Sequence, residues 1–202
     1  MFDPRAAERS LERYRQKGLD RLERMMLASA ARAGVEESRV LDLGGGIGAL
    51  QTELLESGAA SGEVVEIVSS YEPYARELAH ERGLEDRTRF RVADVLDSPD
   101  VVQPAEIVVL NRVVCCSPDG IRLTAVAAHV ARTRLVLSFP RERALVRIGI
   151  RLANAWYWLR RRSFRVFLHP RVALVGAAEA EGLRLADGGR VSLWEFAAFE
   201  RA

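Results

Sequence analysis

Lysine is almost missing from this chain: Lys17 stands alone among 30 basic residues, and the rest are arginine. Against 28 acidic residues they leave a net charge of +2, too small to argue for a nucleic-acid partner. The arginine and alanine bias reads as genome composition rather than function. Cysteine is nearly as sparse. Cys115 and Cys116 are adjacent, which excludes a disulfide framework, fits a reducing cytoplasm and, without a second Cys/His cluster, leaves no expected metal site. No uncharged apolar run is long enough to span a bilayer, and no charged-then-apolar leader opens the chain. A cytoplasmic protein without a signal peptide is expected. Repeats and low-complexity tracts are lacking too.

What is present is enough for one domain with a real core: 202 residues, of which 49% are apolar. The most informative stretch is Val40-Leu41-Asp42-Leu43-Gly44-Gly45-Gly46-Ile47-Gly48. A short apolar strand carries an acid near its end and breaks into a turn with glycine at 44, 46 and 48. The amphipathic segment from Ala49 to Glu56 follows at once. Glycines allow positive φ and let a ligand lie against the backbone, and a new helix presents unpaired N–H groups. A dinucleotide site would ask for G-x-G-x-x-G and a pyrophosphate at the helix start. Here the spacing is G-x-G-x-G, and the Asp42 carboxylate would repel a pyrophosphate while suiting a cation.

In these respects the segment resembles the first motif of the class I S-adenosylmethionine-dependent methyltransferases, roughly V-L-D-L-G-x-G-x-G. The resemblance implies that Asp42, Gly44, Gly46 and Gly48 hold the methionine part of that cofactor, with S-adenosylhomocysteine as product. Gly45 departs from members that carry cysteine or another small residue there. Glu66 falls near the end of a second buried strand expected over Gly62 to Val68, at the distance where Rossmann-like folds place a ribose-binding acid. The strand Thr88 to Val92 leads into Asp94, which the resemblance makes the adenine anchor, with Val95 beside the ring. Tyr71 either covers the adenosine or packs as an ordinary aromatic. By motif the resemblance covers residues 39 to 140, and by layout the rest.

Two helices, Pro4 to Gln16 and Leu19 to Ala33, are expected as a cap over 1–38, the second with Leu19, Leu22, Met26 and Ala30 at helical spacing. Strands alternate with helices over 39–140, with further strands at Glu106 to Leu110 and Arg134 to Ser138. A helix from Pro170 to Glu181 and a hairpin turning at Asp187-Gly188-Gly189 complete 164–202. The fold class expected is α/β: a seven-stranded, mostly parallel, doubly wound sheet with a C-terminal antiparallel hairpin, N-terminal helices and an extra helix after the fifth strand. Ligands in such folds sit at the carboxyl ends of the strands. That rule marks Asn111 through Cys116 and Phe139 through Arg141. Asn111 could position cofactor or substrate, or simply close a strand. His169 has the pKa range of a general base, or caps the helix at Pro170.

The extra helix, Arg141 to Arg162, carries Leu145, Ile148, Leu152, Trp156 and Leu159 at helical spacing with arginines between. It is expected as a lid over 141–163 with its apolar stripe on the domain. The alternative is an amphipathic helix on a membrane surface. Together these features lead us to expect methyl transfer from S-adenosylmethionine to a small apolar or aromatic acceptor. A cofactor-binding partner protein without turnover and a nicotinamide-dependent oxidoreductase are the rivals.

Overall fold

The alternating apolar segments become a single seven-stranded sheet in the computed structural model, which describes residues 4–201; residues 1–3 of the expected cap and Ala202 lie outside the described residues. The order along the chain is α1 (Pro4–Lys17), α2 (Arg21–Ala31), β1 (Arg39–Leu43), α3 (Ala49–Glu56), β2 (Ser61–Glu66), α4 (Glu72–Glu81) and β3 (Thr88–Val92). There follow β4 (Ala105–Leu110), α5 (Gly120–Val130), β5 (Ala131–Pro140), α6 (Ala144–Leu159), α7 (Arg171–Ala180), β6 (Leu183–Val191) and β7 (Trp194–Arg201).

Strands β1 to β5 are parallel in the order β3-β2-β1-β4-β5, and β7 runs antiparallel between β5 and β6. The chain moves outward from β1 to β3, then returns to lay β4 on the other side of β1. That reversal opens a crevice at the carboxyl ends of β1 and β4, where open α/β sheets bind their ligands.

Alternation along each strand sends side chains to two cores. Leu41, Leu43, Val108, Leu110, Leu135 and Leu137 pack under α5 and α7, with Leu123 and Leu174. Val40, Ile107, Val109 and Val136 meet α1 to α4 through Leu11, Leu22, Met26, Leu54 and Leu78. The stripe expected on α2 is buried throughout. Asp42 falls on the α3 side of this alternation and is therefore buried against that helix.

Several boundaries differ from the sequence reading. The hairpin does not turn at Asp187-Gly188-Gly189. β6 runs through these residues with a register shift between Leu185 and Asp187, and the chain reverses at Ser192-Leu193, with Ser192 at φ 52°. The glycine at 189 serves packing instead, since a Cβ there would stand 2.6 Å from both Met25 and Phe196. β2 stops at Glu66, leaving Ile67 exposed. β5 continues through Phe139 and Pro140, because β7 pairs with it as far as Trp194.

Candidate active site

The glycine turn is built around the end of β1. Gly44, Gly46 and Gly48 all have positive φ (68°, 58° and 74°), alternating with residues that do not, so the chain coils tightly before α3 starts. Three of its N–H donors are already used. Gly44 donates to the Val65 carbonyl at 2.7 Å, Gly46 to Glu66 Oε2 at 3.2 Å, and Gly48 to the Gly45 carbonyl at 2.9 Å. Glu66 is tied down from its other oxygen as well, where the Val68 N–H donates at 3.1 Å.

Beneath the turn lies Asp42, 1% exposed, with Oδ1 accepting no hydrogen bond. A Cβ on residue 45 would stand 2.4 Å from its carboxyl carbon, which explains why glycine occupies that position here. Burial pushes the Asp42 carboxyl from its ordinary 3.8 up to about 7, and the nearby charges of Glu66 and Glu23 push the same way. Burial also raises Glu66, against the N–H groups of Val68 and Gly46 that favour its charged form. Burial, with no cationic partner beside either group among the described residues, dominates the shift of both carboxylates.

A cavity of about 810 Å³ opens above it. Gly44, Gly46, Glu66, Tyr71, Asp94, Val95 and Asn111, all picked out from sequence, line this space together. The Tyr71 ring is the neighbour of Gly46, 3.3 Å from where a Cβ would stand, and burial followed by the Glu66 charge raises its hydroxyl pKa. Asp94 folds back to accept from the Leu96 N–H at 2.8 Å. Asp42 and Gly48 lie behind the wall rather than in it.

Asn111 borders the cavity, yet its amide is committed. It donates to Glu23 Oε1 at 3.1 Å and accepts from Ser138 Oγ at 2.8 Å. Ser138 Oγ in turn receives the Arg112 N–H at 2.8 Å. Glu23 and Asp20 were not picked out from sequence. They form a capping box at the start of α2, and Asp20 also takes Arg112 at 2.6 Å, while Arg112 lies over the Trp194 ring. The D-x-x-E spacing at 20–23 was the available signal.

His169 does not line the cavity. Its Nε2 lies 3.0 Å from the Ser117 carbonyl and its ring stacks on Phe167. A nitrogen bonded to a carbonyl must donate, which takes Nε2 out of use as a base. Of the two thiols, Cys115 is buried and Cys116 borders the cavity, their sulfurs 4.0 Å apart. The contact between them, with burial, raises Cys115, and the same contact holds Cys116 below its usual value.

The expected lid differs most. Only the end of that segment, Arg161 to Phe164, borders the cavity. The apolar stripe of α6 does not face the sheet edge: Leu145, Ile148, Leu152, Trp156 and Leu159 are exposed, and Val146, on the opposite face, is the buried residue. The helix instead leans on its own return segment, where Asn154 bonds both the N–H (2.9 Å) and the carbonyl (2.8 Å) of Val166.

No protein-family model and no curated relative matches the sequence. Solved structures do match. Magnesium protoporphyrin IX methyltransferase from Synechocystis PCC 6803, with bound SAH, superposes with a TM-score of 0.72 at 17% identity, over 89% of this chain and 83% of that one. An O-methyltransferase family protein from Burkholderia thailandensis gives 0.72 at 20% identity, over 99% of this chain and 60% of its own. Ribosomal protein L11 methylase from Lactobacillus delbrueckii subsp. bulgaricus gives 0.63 at 17%, over 91% and 80%. The magnesium porphyrin and the ribosomal protein in two of these names are unlike one another; the architecture is common to all three. The chain has the fold of the class I S-adenosylmethionine-dependent methyltransferases.

Proposed function

We propose that this protein transfers a methyl group from S-adenosylmethionine to a small apolar or aromatic acceptor. The observation that carries the reading is the buried carboxylate of Asp42, with Oδ1 unpartnered and with Glu66 and Glu23 near by, beneath a glycine turn at the topological switch point. An acid-rich floor suits a ligand bearing a sulfonium and an ammonium group, and it opposes a pyrophosphate. The turn's spent N–H donors oppose a pyrophosphate further, which weighs against the nicotinamide alternative.

The Gly44–Gly48 turn, with the Asp42 carboxylate behind it, would hold the methionine end, Glu66 the ribose, and Asp94, Val95 and Tyr71 the adenine. When bound, the cofactor supplies an electrophilic methyl group on sulfur. The chain's own contribution is alignment and exclusion of water, which can supply much of the rate of such a displacement. Glu66 is oriented for this by two backbone donors. Asn111, held by Glu23 and Ser138, fixes the wall after β4. His169 steadies the Ser117 turn at the cavity rim and is a positioning residue. The apolar wall of Leu43, Val65, Leu96, Val113 and Phe164 favours an apolar acceptor, and the volume sits in the upper part of the range for small-molecule sites, about 300–1,000 Å³.

Titration calorimetry with S-adenosylmethionine and S-adenosylhomocysteine tests this. Wild type should bind both. Glu66→Ala and Asp42→Ala should each weaken binding by about 1–3 kcal/mol, the worth of a hydrogen bond to a charged group. Absence of binding by wild type, or unchanged affinity in both variants, would overturn the reading. Turnover with a panel of apolar hydroxyl and amine acceptors separates an enzyme from a cofactor-binding partner protein.

A further inference from the structure

Helix α6 is amphipathic in an unusual sense, since the face it turns to solvent is the apolar one. At about 100° per residue, Leu145, Ile148, Leu152, Trp156 and Leu159 fall within an arc of about 80°. Leu145 is 80% exposed and Leu152 67%, and Trp158, on the flank about 80° round from the stripe, is 71% exposed. A contiguous apolar stripe of this kind on a protein surface marks a place of contact. The helix is long enough to lie on a surface, and no helix among the described residues is long and apolar enough to cross a membrane.

Charge selects the surface. Residues 141–165 contain eight arginines and one acid, Glu142, a formal +7. The whole chain carries +2, so the remaining 177 residues carry −5. A second copy of this chain meeting the stripe face to face would set +7 against +7, which disfavours a two-fold dimer here. An anionic bilayer attracts this segment and repels the rest, so one face alone is drawn to it. Arg147 and Arg151 are exposed on one flank of the helix, about 60–100° round from the stripe, Arg160 lies over the Trp156 ring at 4.5 Å, and the side chains of Trp156 and Trp158 suit the boundary between headgroups and acyl chains.

The helix is also held for this. Its inward face is clamped by the paired bonds of Asn154 to Val166 and by the edge-on contact of Tyr157 with Phe164, so the outward stripe is presented from a fixed base. Phe167 N–H continues the tether, donating to the Cys115 carbonyl at 2.8 Å beside the cavity.

We propose that α6 docks this protein on anionic lipid surfaces, its apolar stripe in the bilayer boundary and its arginines among the headgroups. Because Arg161 to Phe164 border the cavity, docking brings the cavity rim to the membrane. The acceptor is then a molecule dissolved in the bilayer that enters from the lipid side, a consequence that rests on the function proposed above.

The test uses the full chain with vesicles of phosphatidylglycerol and phosphatidylcholine, compared with phosphatidylcholine alone, and no cofactor present. Co-sedimentation with the anionic vesicles is expected, with a blue shift of tryptophan emission, both reduced in about 0.5 M salt. The pair Leu145→Glu and Leu152→Glu, exposed and distant from the cofactor wall, should keep the melting temperature and lose on the order of tenfold or more in vesicle affinity. A wild type that stays in the supernatant, or a double variant that binds as wild type does, would overturn the proposal. So would a wild-type dimer in light scattering that the double variant dissolves, because a second copy would then cover the stripe. Calorimetry with S-adenosylhomocysteine in the absence of vesicles reads the cofactor site separately, so failure of one reading leaves the other measurable.

Discussion

Asp42 concentrates the tension between stability and ligand binding in one side chain. Its folded-state carboxyl titrates near 7 instead of 3.8, because burial and the neighbouring acids disfavour the charge. Between about pH 4 and pH 7 the folded chain therefore keeps a proton that the unfolded chain has lost, and stability falls as pH rises through that window. Above it the whole cost is present. Asp42→Asn should then stabilise the unliganded protein at pH 8 by on the order of 2–4 kcal/mol, leave it unchanged near pH 4, and weaken cofactor binding. Urea unfolding at the two pH values, alongside calorimetry, reads both halves, and an equal effect at pH 4 and 8 would contradict it. At Gly46 the φ of 58° and the Tyr71 ring 3.3 Å away leave no room for a branched side chain. Gly46→Val should abolish cofactor binding by displacing Tyr71 and straining the turn, with the circular dichroism spectrum preserved. Retained binding would show that the turn yields.

At the scale of elements, the N-terminal helices belong to the site. Asn111 at the end of β4 joins Glu23 of α2 to Ser138 of β5, so one amide locks three elements over the cavity wall. Asn111→Leu should leave the buried Glu23 carboxylate and the Ser138 hydroxyl without that partner, at a cost of about 1–3 kcal/mol in chemical denaturation. A loss under about 0.5 kcal/mol would mean that the network re-forms with water. The spacing 20–23 carried the capping box openly, and local helix chemistry can be read from adjacent residues. That Glu23 would meet Asn111, 88 residues away, could not. The same limit applied to α6, whose periodicity was legible while its facing direction was not. Two faces of a helix are distinguished only by what packs against them, and here the return segment took the polar Asn154 side.

For the molecule as a whole, the cavity proposed for the cofactor lies between elements from both halves of the sheet, so a bound ligand should stabilise the entire domain. With S-adenosylhomocysteine at 100 times its dissociation constant, stability should rise by about 2.7 kcal/mol, or about 5–10 °C in melting temperature for a chain of this size. Scanning calorimetry checks this, and a ligand-independent transition would show that part of the chain folds apart from the site. A nicotinamide dinucleotide at the same concentration should leave the transition where it was.

Much of this protein was determined by local pattern. The strand-acid-glycine turn at Val40 to Gly48, the acid at 66 and the acid at 94 are short-range signals, and the fold brings Glu66, Asp94 and the turn to one cavity wall. Alternating strands and helices led to the doubly wound sheet because period and burial are coupled residue by residue. Tertiary structure decided the rest. It placed the hairpin reversal at Ser192 rather than at the glycines, where Gly189 instead leaves room for Met25 and Phe196. It put His169 against the Ser117 carbonyl, outside the cavity, and left Asp42 buried with an unpartnered oxygen. It also turned the apolar stripe of α6 to the outside. Contacts between residues distant in sequence decide each of these, and no spacing along the chain encodes them.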